Sequence, residues 1–388
     1  MSSYGQAIQE NFRECLTLLL FRRKSMDDMN FFDSEKKSNL VHYEGELGVF
    51  DYDPEEFIIR KYGSIECLHY HGKGKSIDLP KGCINTRYMF EDCILSDGFS
   101  LGERFDTSNV INMESMFRKC KLPEGFSLGE YFDTSKVTDM GHMFSYCRLP
   151  DGFSLGKKFD TSKVTDMDYM FFHCDLPYGF SLGKHFDTSS VTDMSYMFKD
   201  CTLPDDFSLG ESFNTSNVTC MESMFWGCRL PERFSLGKRF DTNNVTNMVY
   251  MFADCRLPEG FSLGEHFSTS NVSSMEGIFS DCILSEGFSF GDHFDTSNVT
   301  TMDKMFRNCI VPAGFSLGEY FDTSKVTDME WMFENCRLPK GFSLGEHFDI
   351  SKVRRKRSMF LGCTYYGVDV HEFFCTPNST EIISRLKK

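Results

Sequence analysis

The chain has 388 residues, a formal charge of −16 and 40% apolar side chains, with 41 Phe, 22 Met and 16 Cys. That charge argues against a general binder of nucleic acid or of an anionic membrane surface. No run of about 18 apolar residues is present to cross a bilayer as a helix.

The N-terminal stretch "CLTLLLF" (Cys15 to Phe21) is preceded by Glu10, Arg13 and Glu14, followed by Arg22, Arg23 and Lys24, and lacks a small-residue cleavage site. It reads as an amphipathic helix from about Gly5 to Arg23 rather than a secretory signal, and the expected location is intracellular. "HYEGELGVFDYDPEEFIIRKYGSIECLHYH" follows, with alternating and apolar runs that predict strands. Residues 1–66 carry no repeat and are assigned as an N-terminal cap region. In "CLHYHGKGKS", Gly74-Lys75-Ser76 mimics the end of a phosphate-binding loop, but His69 stands where the first glycine is needed.

From there the chain repeats itself. Cysteines fall at 93, 120, 147, 174, 201, 228, 255, 282, 309, 336 and 363, a constant step of 27. A Val column (110 to 353), a Phe column (105 to 348) and a Met-Phe pair keep the same step, with Ile278-Phe279 as the one lapse of the pair. Residues 67–363 divide into one degenerate and ten regular units. A fixed period of this length marks stacked coils, and it is too short for a propeller blade of about 40–45 residues. Like residues recur because each lies on its own copy in the next coil. "GFSLG" alternates as a strand does, and "VTDMxxMFxxC" places apolar residues at Val, +3, +6, +7 and +10, which is helical spacing. The expected fold is therefore an α/β repeat solenoid, each coil a short parallel strand plus a short helical segment, with the "LPEG" and "LPDG" turns between.

The pattern "FDTSxVTDMxxMFxxC…L…FSL" resembles the BspA-like leucine-rich repeat family, in the "FDTSNVTNMxxMFxxC" subtype of mycoplasma-type lipoproteins. The resemblance covers about 94–363. It implies a right-handed leucine-rich-repeat-like array used for protein binding or surface display. The longer unit, with "RLPEGFSLGEH" as its connection, is similar to arrays of large DNA viruses of amoebae and implies a viral source, hence host cytoplasm or virion.

The last unit decays: Lys356 stands where Met113, Met140 and their successors stand, and "VTDM" becomes "VRRK". Charge in a ladder position marks a coil with no further neighbour; the alternative for Lys352 to Arg357 is a targeting patch. Residues 364–388 are assigned as a C-terminal cap.

Candidate chemistry is thin. Equivalent cysteines in stacked coils point in parallel, so they read as buried free thiols rather than disulfides or zinc ligands. Cys220 takes the place of an Asp or Asn and is expected to be more exposed than the rest. The columns headed by Asp106 and Asp139 read as Asx turns, in which the carboxylate accepts a backbone N–H; calcium bridging is the alternative. His266 and His293, in neighbouring coils, read as a solvated face, and the asparagines at 217, 244, 271 and 298 are exposed glycosylation sequons. No catalytic cluster and no cofactor motif emerges.

Function is expected in the variable columns. Two residues beyond each ladder Met, the chain varies among Ser115, His142, Tyr169, Tyr196, Ser223, Tyr250, Gly277, Lys304 and Trp331, and the positions before each Cys add Tyr146, His173 and Trp226. Aromatic side chains outside a core mark interfaces. His142, Tyr169, Tyr196, Tyr250, Trp331, Tyr146 and Trp226 form the candidate partner-binding ridge. The expected role is a non-enzymatic, monomeric scaffold for a protein partner, without nucleic acid or membrane span; the alternative is a structural component of a virion or surface layer.

Overall fold

The computed structural model of the chain describes residues 40–291, 293–365, 368 and 369. The helix expected from Gly5 to Arg23 and the segment 370–388 lie outside the described residues. The strands expected near the start are present as two hairpins. β1 (Val41–Gly45) pairs antiparallel with β2 (Gly48–Tyr52), and β3 (Phe57–Tyr62) with β4 (Ile65–Tyr70). β2 alternates as a half-buried strand should, burying Phe50 and exposing Val49 and Asp51. Gly48 has φ +119°, and a Cβ there would stand 2.2 Å from the Gly82 carbonyl oxygen. Only glycine lets β2 approach the next segment so closely. Tyr70 packs against Phe90 and Phe99 with ring centroids 5.5 Å away in each case. The hairpins thus join the core of the repeats.

The repeating unit corrects the sequence reading. Among the described residues there is no helix. The "VTDMxxMFxxC" stretch is a succession of four-residue turns. In the unit ending at Cys120, the Met116 N–H donates to the Met113 carbonyl at 3.1 Å and the Cys120 N–H to the Phe117 carbonyl at 2.9 Å. The third residue of each turn is left-handed, Ser115 and Lys119 both at φ 55°. The N–H groups between these turn bonds point to the next unit: Ser115 to Gly141 at 2.8 Å, Phe117 to Met143 at 2.9 Å, Lys119 to Ser145 at 2.8 Å. Turns laid end to end bring their first and last residues inward, which reproduces the +3, +6, +7, +10 spacing of a helix. A helix would have to direct those N–H groups to its own carbonyls four residues back. Here neighbouring units take them instead.

The expected parallel sheet is also displaced. At "FSLG", β5 (Ser76–Ile77) pairs with β6 (Ser100–Leu101), and later only Ser262–Ser289 and Ser316–Ser343 pair among the described residues. The long runs of parallel pairing lie in two other columns. One passes Asn85, Asn112, Asp139, Asp166, Asp193, Cys220 and Asn247, the other Ile94, Lys121, Arg148, Asp175, Thr202 and Arg229. A strand-plus-helix α/β solenoid of leucine-rich-repeat type is therefore not what the chain forms. It is a pile of turns tied by single-residue parallel bridges and a few two-residue strands.

Both runs break at one place. Among the described residues neither Arg229–Arg256 nor Asn247–Ser274 is paired, and both columns resume at Arg256–Ile283 and Ser274–Thr301. Arg229 and Arg256 line this break together, but like charge alone does not open the column, since Lys121 and Arg148 pair within it. Arg233 stands nearby where most units have a turn glycine, and an open groove lined by Arg229, Arg233, Arg256, Glu232 and Pro258 occupies this seam. At the far end β7 (Arg337–Leu338) pairs with β8 (Thr364–Tyr365), which pairs with β9 (Val368–Asp369). Lys356 is exposed, and Arg355 of the same basic run bridges to Asp328 at 2.9 Å and to Glu330. The run thus closes onto the preceding unit.

Inside, like meets like. Phe117, Phe144, Phe171 and Phe198 stack at 5.6, 5.8 and 5.6 Å, within 8° of parallel. Val110 through Val326 and the ladder methionines from Met113 to Met332 are fully buried. The ladder cysteines from Cys120 to Cys336 are free thiols and all buried, and the Cys147 thiol donates to the Phe117 carbonyl at 2.7 Å. Burial pushes that thiol up to about 12, so it stays protonated. Cys220 is only half-buried, as its place in a polar column implied.

Candidate functional site

The turns that replace the helix decide where the variable side chains go. Tyr88, Ser115, His142, Tyr169, Tyr196, Ser223, Tyr250, Lys304 and Trp331 all have φ between 52° and 59°. A left-handed residue at the third position of a turn projects its side chain away from the flanking core residues. Because the turns are held to each other by backbone bonds, the projecting side chains form one row.

In that row His142 and Tyr169 stack at 4.4 Å and 9°, and Tyr169 and Tyr196 at 4.3 Å and 11°. Ser223 interrupts the row, and Trp226, three residues on, takes over by stacking on Tyr250 at 5.0 Å. The Tyr250 ring lies over Gly277, where a Cβ would stand 2.0 Å from its Cε1. Glycine at this left-handed position (φ 58°) is what lets the ring lie down. Tyr146 stands in the adjacent row, edge-on to Phe172 at 5.0 Å and 5.1 Å from His173. Phe172 in turn meets Tyr169 at 5.3 Å. The structure thus brings His142, Tyr146, Tyr169 and Tyr196 into one cluster and Trp226 and Tyr250 into a second. Trp331 is reached through Lys304, whose Nζ lies 5.5 Å from its ring.

Sequence reasoning did not single out Phe172 or Lys199, and it named Lys304 in the variable column without placing it on the ridge. Lys199 Nζ sits 3.8 Å from the Trp226 ring centroid. The same Nζ lies 5.6 Å from the Tyr196 centroid. One ammonium thereby joins the two clusters by cation–π contact. The signal for Phe172 and Lys199 lay in the variable column two residues before each Cys, which reads Phe172, Lys199, Trp226 in successive units.

A row of acids flanks the rings. Tyrosine hydroxyls donate across units, Tyr88 to Glu114 at 2.9 Å, Tyr250 to Glu276 at 2.9 Å, and Tyr196 to Glu222. Burial and the Glu222 carboxylate raise the Tyr196 hydroxyl well above its ordinary value. The Asx-turn reading holds for both Asp columns: Asp106 accepts the Ser108 N–H at 2.9 Å, Asp139 the Gly141 N–H at 3.0 Å, Asp166 the Asp168 N–H at 3.0 Å. The Ser108 N–H holds the Asp106 carboxyl below the usual range. Asp168 behaves differently. Burial, then the charges of Asp166, Asp193, Asp139 and Glu114, push it up to about 7. His142 Nε2 is 4.0 Å from Asp168, and burial, with Arg118 nearby, pushes the imidazole down to about 4.

The sequons are exposed at the edge of the stack, and their amides are engaged: Asn217 donates to the Ser189 carbonyl and Asn244 to the Ser216 carbonyl, both at 2.7 Å. His266 is exposed beside Glu265.

The family described as "Mycoplasma protein of unknown function, DUF285" matches over residues 84–176, 153–259, 205–286, 233–336 and 285–383. The chain belongs to this family. Its DUF285 matches run from the degenerate unit across every regular one, so the turns and the ridge described above are DUF285 structure. No curated protein and no solved structure matches the chain. No helix among the described residues is long and apolar enough to cross a membrane.

Proposed function

We propose that the chain is a non-enzymatic recognition module that binds a protein partner on the ridge of His142, Tyr146, Tyr169, Tyr196, Trp226, Tyr250 and Trp331. The observation that carries this reading is the ring stack His142–Tyr169–Tyr196 at 4.4 and 4.3 Å. These half-buried rings stand on turns whose backbone is fixed by the units on either side. Aromatic anchors whose positions are set before binding lose little conformational entropy on contact, and Tyr and Trp dominate interface energies. The assignment to the BspA-like subtype and to a viral source belongs to the same proposal and rests on the motif alone. The free thiols support an intracellular setting, where cysteines stay reduced.

The test is affinity capture with the whole chain against Tyr169→Ser/Tyr196→Ser. The expected result is one stoichiometric partner, with at least about tenfold weaker binding by the double variant, in keeping with a hot-spot loss of more than about 1 kcal/mol. Unchanged binding removes the ridge. Copurification with particles in place of one partner favours the structural role instead.

A further inference from the structure

Rings and carboxylates run side by side along the ridge, but their charges are balanced unevenly. Toward the C-terminal end the chain supplies its own cations. Lys304 Nζ lies 2.9 Å from Asp303, 3.3 Å from Glu276 and 3.4 Å from the Tyr250 hydroxyl, next to Trp331. Burial alone would lower the Lys304 ammonium, yet Asp303 and Tyr250 raise it well above its usual value, so this setting selects a charged amine. Farther on, Arg355 spans Asp328 and Glu330. In the middle, Lys199 sits on Trp226 at 3.8 Å.

The His142–Tyr169–Tyr196 face has the same make-up, but the cation that reaches it, Lys199 at 5.6 Å from the Tyr196 ring, bridges to none of its acids. Asp139, Asp166, Asp168 and Asp193 border it, and among the described residues none of them pairs with a lysine or an arginine. Asp139 and Asp166 are raised by burial above the ordinary carboxylate range. Asn112 offers Asp139 a neutral amide at 2.9 Å, and His142, beside Asp168, is uncharged near neutral pH. A half-buried row of acids without a counter-charge is costly, and a cation arriving from outside relieves that cost while stacking on the rings.

Resting on the recognition reading above, we infer that the partner presents a lysine- or arginine-bearing segment. Its cationic head groups occupy the His142–Tyr169–Tyr196 face against Asp166, Asp168 and Asp193, in the way that Lys304 occupies the setting of Tyr250, Glu276 and Asp303. The face is electrostatically complementary to such a segment and repels an acidic one.

The experiment titrates the whole chain into a fluorescent decapeptide of alternating Lys and Ser, with a Glu and Ser decapeptide as control, at about 50 and about 300 mM salt. The lysine peptide is expected to bind, more weakly at the higher salt, and the glutamate peptide not to bind. Asp166→Asn/Asp168→Asn/Asp193→Asn keeps side-chain shape and the Asx acceptors. It is expected to weaken the lysine peptide at least about tenfold with no loss of melting temperature. Glu124→Gln/Glu259→Gln, which removes exposed acids away from the ridge, is expected to leave binding unchanged and so excludes attraction by net charge alone. Equal binding by the Asn variant, equal loss in the Gln variant, or no lysine-peptide binding overturns the inference. A captured partner that is lost with Tyr169→Ser/Tyr196→Ser but kept by the Asn variant overturns the cationic segment and leaves the ridge standing. A partner kept by both overturns both.

Discussion

Two left-handed residues in the "VTDMxxMFxxC" stretch of each unit set its local structure. The column immediately before each ladder Cys contains Lys119, Tyr146, His173, Asp200, Gly227, Asp254, Asp281, Asn308, Asn335 and Gly362. Gly, Asn and Asp are the residues that tolerate this conformation, and the column follows that preference from Asp200 onward. Lys119, Tyr146 and His173 adopt it all the same, at φ 55–59°. The conformation costs an ordinary residue roughly 1–2 kcal/mol. Lys119 is exposed, so its side chain contributes little in return. Lys119→Gly is therefore expected to stabilise the fold by about 0.5–1 kcal/mol, and Lys119→Val to destabilise it by at least as much. Chemical denaturation distinguishes the two; a destabilising glycine would show that the left-handed turn is absent.

At the scale of the element, the acid-and-ring face couples stability to pH. The Asp168 carboxyl rises from an ordinary 3.8 to about 7. Between those values the folded chain keeps a proton that the unfolded chain has lost, so this group's contribution falls as pH rises through the window and is constant above it. His142 falls from 6.5 to about 4, so the folded chain binds fewer protons there and stability drops as pH falls through that range. The two slopes oppose each other, and removing one reveals the other. Asp168→Asn is expected to raise the melting temperature relative to the parent more at about pH 8 than at about pH 4. An equal gain at both would mean that the carboxyl is not held protonated. Face and turns were unequally readable from sequence. The variable column was visible because it changes while its neighbours do not. The turn was not, because four-residue turns and a helix place apolar residues at the same steps. What separates them is where Phe117 sends its N–H, which is to the Met143 carbonyl in the next unit. Column chemistry, with Gly277, Gly227 and Gly362 at the two left-handed positions, carried the only local hint. The role of Lys199 was hidden for a related reason: a single lysine in a mixed column says nothing until Trp226 is known to lie 3.8 Å away.

For the whole array, one relation accounts for both core and ridge: a residue meets its equivalent 27 positions on. Periodicity made that register legible, because a stack is the arrangement that buries identical columns of Phe, Met, Val and Cys against themselves. The same register places polar bridges at the surface, as where Lys136 Nζ reaches Asn109 at 2.7 Å and Lys325 reaches Asn298 at 2.8 Å. Equivalent backbone positions of parallel neighbours are about 4.8 Å apart. Lys136 and Lys163 are such equivalents, as are Lys157 and Lys184. Amine cross-linking with a short spacer, read by mass spectrometry, tests the register directly. The stack predicts Lys136–Lys163 and Lys157–Lys184 among the dominant products. Products that skip a unit, such as Lys136–Lys184, in the absence of those two pairs, would contradict it.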